Sequence, residues 1–184
     1  MFQEIAATKK RYEEELRRLA FHDPLTGLPN RRLFTDTLIL ELEKVKESNE
    51  HLTIFYLDLD NLKQINDQLG HNIGDLLLIQ FGERLQQFIS ERDMICRMGG
   101  DEFIILSPSL SAKEAGQLYA KKIIQSLETP LRVGELEITV TTSIGLTLYD
   151  DEKKSMGPEE LIKQADDALY KAKTKGKNRY EFWQ

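Results

Sequence analysis

Apolar residues in the first twenty positions recur in steps of three and four: Phe2, Ile5, Tyr12, Leu16 and Leu19, with Lys9 completing the series. The spacing is a heptad seam of fewer than three repeats, and it predicts a helix forming the end of a parallel coiled coil. An ordinary amphipathic helix has nearly the same pattern. "HDPLTGLPN" at 22–30 then places two prolines and a glycine where that helix must stop. A helical linker over 1–20 and a folded domain over 21–184 are therefore expected.

Asn30 is suited to cap a helix whose apolar face carries Leu33, Phe34, Leu38, Leu42 and Val45. "LTIFYLDLD" at 52–60 is apolar, aromatic and too short for a core helix, so it reads as a buried strand ending in acids. "NLKQINDQLGHNIGD" reads as a polar, turn-rich connection, and helical periodicity returns in "LLLIQFGERLQQFIS" at 76–90. "MICRMGGDEFIIL" at 94–106 divides into two strand-like runs about Gly99 and Gly100, the pattern of a tight hairpin. A helix follows over 111–128, with Ser111 and Glu114 as a capping box. Leu136, Ile138 and Val140 alternate with polar residues in a half-buried strand over 135–149. Pro158 opens a last helix that Gly176 ends, and "RYEFW" supplies a closing strand. Helices and strands alternating around one hairpin predict an α/β sandwich of the palm or ferredoxin-like kind. Its central, mostly antiparallel sheet would be flanked by helices.

A chain of 184 residues with 40% hydrophobic content can bury one full core plus a short appendage. Its net charge of −6, from 31 acids and 25 bases, argues against broad attraction to nucleic acid or anionic membrane. A phosphate ligand would need local cations or metal. The single cysteine, Cys96, lies in an apolar run and reads as a core residue suited to a reducing cytoplasm. No apolar run approaches the ~20 residues that span a bilayer, and the first twenty residues lack a signal peptide's apolar centre. A cytoplasmic domain is expected, one that a longer parent protein could tether to a membrane. His22, His51 and His71 are scattered without metal-ligand spacing.

Asp58 and Asp60 alternate with leucines, so both point to one face of the strand end. Asp60 suits a helix cap. Asp58 lies within the apolar run, where a buried charge is costly without a cation or strong hydrogen bonds. If this strand pairs with the hairpin, Asp58 and Asp101 could share a hard divalent ion with a nucleotide's phosphates.

Here the chain resembles a known family. "GGDEF" at 99–103 is the signature of the GGDEF domain of bacterial diguanylate cyclases, and four further blocks occur in the family's order. They are "DPLTGLPNRR" at 23–32, "LDLDNLKQINDQLGHNIGD" at 57–75, "TTSIGL" at 141–146 and "ADDALYKAKTKGKN" at 165–178. The resemblance covers the chain from about Phe21 onward. It implies a homodimer, each subunit holding one GTP, that makes cyclic di-GMP and releases two pyrophosphates. It also implies an upstream sensor domain, while the acidic charge and the lack of a basic, aromatic-lined groove argue for no nucleic-acid partner. By this likeness Asp58, the backbone carbonyl of Leu59 and Asp101 would ligate two magnesium ions, with manganese as an alternative, and Glu102 would be a catalytic or metal-supporting acid. Lys63, the backbone N–H groups of Asn61 and Leu62, Lys173 and Lys177 would neutralise phosphate. Asn66 and Asp75 would contact guanine, and Gly99 and Gly100 would let the backbone approach the nucleotide.

Two positions depart from the pattern. Relatives commonly have arginine at 177, where lysine keeps the charge without the bidentate fork. Many also carry an Arg-x-x-Asp product-inhibition motif before the signature. Here "SERD" retains Asp93 but has Ser90 for the arginine, so weak or absent feedback inhibition is expected. Arg92, as the strand neighbour, points elsewhere. The alternatives to a cyclase are a catalytically weak GTP- or cyclic-di-GMP-binding regulatory module and a palm nucleotidyl transferase acting on nucleic acid. The complete signature with Asp58 and Lys63 opposes the first, and the acidic charge opposes the second.

Overall fold

Strand β1 (Leu52–Leu59) is buried at every position, because its alternate residues feed two separate cores. This is a computed structural model, and it describes residues 2–48, 50–108, 110, 112–150, 153 and 155–184, with side chains from residue 8. Around β1 stand α1 (Phe2–Phe21), α2 (Arg31–Glu47), α3 (Leu62–Leu69), α4 (His71–Gln86), β2 (Met94–Gly99) and β3 (Glu102–Ser107). These are followed by α5 (Lys113–Ser126), β4 (Leu131–Val133), β5 (Leu136–Ile138), β6 (Thr142–Tyr149), α6 (Pro158–Thr174) and β7 (Tyr180–Phe182). The main sheet has the order β2-β3-β1-β6-β7, antiparallel except for β6 with β7. Phe55, Leu57 and Phe103 pack with α4 and α5 on one face; Ile54, Tyr56 and Ile104 pack with α2 and α6 on the other. The result is the expected α/β sandwich.

Asn30 caps α2 as anticipated, its Oδ1 accepting the Leu33 N–H at 3.1 Å. Helix α6 lies directly on β6 because Gly145 has no side chain; a Cβ there would fall 2.0 Å from the Ala165 carbonyl oxygen. Helix α1 exposes Tyr12, Leu16 and Leu19, while the side chains of Phe2 and Ile5 lie outside the described residues.

The polar segment after β1 is α3 plus the first turn of α4, rather than a turn-rich connection. Buried Leu62 and half-buried Ile65 and Ile73 anchor these helices to the core, and Gly70 (φ +91°) makes the corner between them. The single strand expected over 135–149 is two strands. β5 pairs with β4 in a small hairpin about Gly134, and alternation ends in β6, which is covered on both faces. The cap of α5 is Ala112, without a side-chain bond; Ser111 lies outside the described residues.

The turn after α1 is tied to the hairpin. Arg97 Nη1 lies 2.9 Å from Asp23 Oδ1, and Arg97 also donates to the Gly100 carbonyl from Nε (3.1 Å) and Nη2 (2.8 Å). Burial alone would raise the Asp23 pKa, but the Thr26 hydroxyl and N–H, with Arg97, hold it below its ordinary 3.8. The folded value is the depressed one, so this stabilisation is present above about pH 4 and is lost as pH falls through it. The stability gap between wild type and Asp23→Asn should accordingly narrow from pH 7 to pH 3, as read from urea midpoints.

Candidate active site

The register places Asp58 at the end of β1 directly across from Glu102 at the start of β3, with Asp101 in the intervening turn. The Leu59 N–H donates to the Asp101 carbonyl at 3.1 Å, fastening the strand end to that turn. A cleft of about 580 Å³ opens there, lined by Asp58, Asp101, Glu102, Asn61, Leu62, Lys63, Gln64, Asp67, Lys173 and Lys177. Most of the residues singled out from sequence therefore meet at one place. Asn66 and Asp75 are not among this lining; they stand at the junction of α3 and α4. Gly99 and Gly100 take φ values of +141° and +54°, and a Cβ on either would meet no protein atom within 4 Å. Backbone conformation, not crowding, demands glycine in this turn.

Asp58 is 7% exposed and is paired by Lys173 Nζ at 2.6 Å. Burial pushes its carboxyl up to about 6; Lys173 pulls the other way, and Asp101 and Asp60 add their repulsion. Lys177, at φ +61°, donates to Asn61 Oδ1 at 2.6 Å, and Asn61 itself is left-handed at φ +62°. The two unusual backbone positions both line the cleft.

Asp60 is not a helix cap. It is 2% exposed and accepts from the hydroxyls of Thr141 (2.7 Å) and Ser143 (2.8 Å) and from the Asn178 N–H (3.1 Å). It thus pins the loop that carries Lys177 to the end of β1, while Asn61 occupies the cap position of α3 without a side-chain bond. Tyr56 went unrecognised in the sequence: its hydroxyl donates to Glu102 Oε2 at 3.2 Å. Burial and the Glu102 carboxylate raise its pKa, so it stays a donor. Only its place two residues before Asp58, on the same face, hinted at this.

Among the described residues no three Asp, Glu, His or Cys side chains converge as a ready metal cage. The donors present are carboxylates and backbone oxygen, which suits a hard cation that completes its shell with phosphate oxygens and water. Asp58, repelled by Asp101 and raised by burial, is the carboxylate such a cation would relieve.

At Ser90–Asp93 the carboxylate is already engaged. Asp93 Oδ2 accepts the Ser90 N–H at 2.8 Å, and Oδ1 accepts the Ser107 hydroxyl at 2.6 Å. Arg92 reaches Glu50 at 3.5 Å.

A mostly antiparallel sheet, helices on both faces and a cleft of acids and lysines at its hairpin end define the class, an α/β sandwich. The chain belongs to the GGDEF family: residues 20–179 match the model described as "Diguanylate cyclase, GGDEF domain". It is 36% identical over 180 residues to the bifunctional diguanylate cyclase/cyclic di-GMP phosphodiesterase MucR of Pseudomonas aeruginosa, covering 98% of this chain and 26% of MucR. The GGDEF domain of TpbB from Pseudomonas aeruginosa superposes with a TM-score of 0.83 at 34% identity, over 89% of this chain and 94% of that one. The coiled coil and GGDEF domain of DgcB from Caulobacter crescentus, in complex with c-di-GMP, gives a TM-score of 0.87 over 98% of this chain and 94% of that one. At 24% identity it speaks to fold alone. The chain spans about a quarter of MucR and two fifths of TpbB.

Proposed function

We propose that this chain is the catalytic domain of a diguanylate cyclase, joining two GTP molecules into cyclic di-GMP with release of two pyrophosphates. The observation that carries the reading is the cleft that Asp58, Asp101 and Glu102 share with Lys63, Lys173 and Lys177, with Lys173 on Asp58. Asp58, Asp101 and the Leu59 carbonyl would hold two magnesium ions, with manganese as the alternative. Bound metal would supply neutralisation of the α-phosphate charge and easier loss of the attacking 3′-hydroxyl proton. Glu102 stands beside the reacting centre and accepts or relays that proton, its carboxylate oriented by Tyr56. Lys63 and the N–H groups of Asn61 and Leu62 receive the triphosphate, while Lys177 reinforces them from the opposite rim. Lys173 balances Asp58 until phosphate oxygens compete for its ammonium group. Asn66 and Asp75 hold guanine. The open space over Gly99 and Gly100 leaves room for the nucleotide.

Each protomer offers one half-site, and a two-fold product calls for a two-fold dimer. The exposed Tyr12, Leu16 and Leu19 of residues 1–20 give α1 a face for pairing and a route from an upstream sensor. Among the described residues no helix is long and apolar enough to cross a membrane, which suits a catalytic domain facing the cytoplasm. Release of pyrophosphate from GTP, rising more steeply than linearly with protein concentration, tests the cyclase and its dimer together. A linear dependence would oppose shared half-sites.

Product inhibition through Ser90–Asp93 is expected to be weak or absent. No arginine stands at 90, and both Asp93 oxygens are bonded within the domain. Cyclic di-GMP titrated into the reaction should slow wild type and Asp93→Ala alike. Tight inhibition that Asp93→Ala abolishes would refute this.

A further inference from the structure

We infer that Gly74 is a positioning residue for guanine selection, because its missing side chain is the space in which the Asn66 amide sits. The inference rests on the proposed guanine contact of Asn66. A Cβ built on Gly74 would lie 1.8 Å from Asn66 Oδ1, 2.8 Å from Cγ and 3.3 Å from Nδ2. The amide therefore meets α4 at Gly74, its oxygen foremost. The Asn66 main chain is tied to the same corner, its carbonyl accepting the Gly70 N–H at 2.9 Å. Gly74 has no positive φ and lies inside α4, so backbone conformation gives no reason for glycine there.

Asn66 Oδ1 is buried and has no hydrogen-bond partner in the described protein. An orphaned acceptor of this kind takes its donor from water or from a bound ligand. Guanine offers such a donor in its exocyclic amine, which hypoxanthine lacks, and the ring N1–H that both bases share is left to the Asp75 carboxylate. Asp75, the next residue after Gly74, is an exposed residue of the same turn of α4. Gly74 thus lets an amide from α3 sit against the turn of α4 that carries Asp75.

The atoms that a Cβ would strike belong to the far end of a side chain, not to backbone. Gly74→Ala should consequently displace the Asn66 amide without unfolding the domain, and alanine favours the helix over glycine. The result expected is a thermal midpoint at or above that of wild type, with selectivity lost. Binding of the non-cleavable α,β-methylene analogues of GTP and ITP, by calorimetry on wild type, Gly74→Ala, Asn66→Ala and the double variant, tests this apart from turnover. Wild type should prefer the guanosine analogue. Gly74→Ala should lose about tenfold in affinity for it, the size of one hydrogen bond, with little change for the inosine analogue. The double variant should match Asn66→Ala alone. Equal weakening of both analogues, or unchanged selectivity in Gly74→Ala, would overturn the role given to Gly74 while leaving the guanine site in place. Wild type binding both analogues equally would overturn the guanine site itself.

Discussion

Asp101→Ala is expected to lower GTP turnover by about 10³-fold, the upper end for removing one preorganised group that stabilises transition-state charge. Its fold should survive. The structural bond at this position is made by the Asp101 carbonyl, which accepts the Leu59 N–H and is unaffected by side-chain truncation. The glycines before it keep the turn. Removing the carboxylate also relieves Asp58, whose pKa the Asp101 charge raises. A raised folded pKa for a carboxylate means that its charged form costs stability at neutral pH, so the variant should be as stable as wild type or slightly more so. Retained thermal midpoint with lost turnover separates a chemical role from a structural one. Loss of both would return Asp101 to the standing of an ordinary turn residue.

Lys173→Met is expected to be costly on two counts. It removes the partner of a carboxylate that is 7% exposed, and breaking a buried pair from one side costs about 3–5 kcal/mol. The lysine side chain is 34% exposed, so solvent screens part of that charge and a loss of about 2 kcal/mol is the expectation. Catalytically, the variant lacks a cation for phosphate, and kcat/KM for GTP should fall by about 10²-fold, the loss of one charge-assisted contact at the reacting phosphates. Adding Asp58→Asn should recover much of the stability, since no buried charge is then left alone, and should recover none of the activity. Denaturant midpoints and initial rates on the four proteins of this cycle measure both quantities. Recovery of activity in the double variant would mean that the pair is structural only.

The parts of this domain legible in its sequence are those that depend on near neighbours. The face of α2, the Asn30 cap, the buried run of β1 and the glycine hairpin each follow from residues a few positions apart and each is present, the hairpin with its turn at Gly100–Asp101 because Gly99 ends β2 opposite Glu102. Asp58 stood out for the same reason, as a charge inside an apolar run. Helix α3 was illegible because eight residues, only three of them apolar, give periodicity little to work on; Leu62 and Ile65 hold the helix by docking on the core. Asp60 looked like a cap because its real partners, Thr141, Ser143 and Asn178, are more than eighty positions away. The Tyr56–Glu102 bond needs the register between β1 and β3, and the place of Asn66 against Gly74 needs the α3–α4 corner. What long-range packing decides, local pattern did not disclose.

The central claim is that carboxylates at the end of β1 and in the hairpin direct two GTP molecules into one cyclic product. Incubation of the purified chain with GTP and magnesium, with the product identified by mass, tests it most directly. Cyclic di-GMP and pyrophosphate from wild type, with both lowered by about 10³-fold in Asp101→Ala, is the predicted result. GTP left intact by folded wild type at high protein concentration, while still bound, would contradict the claim and make the domain a regulatory nucleotide-binding module.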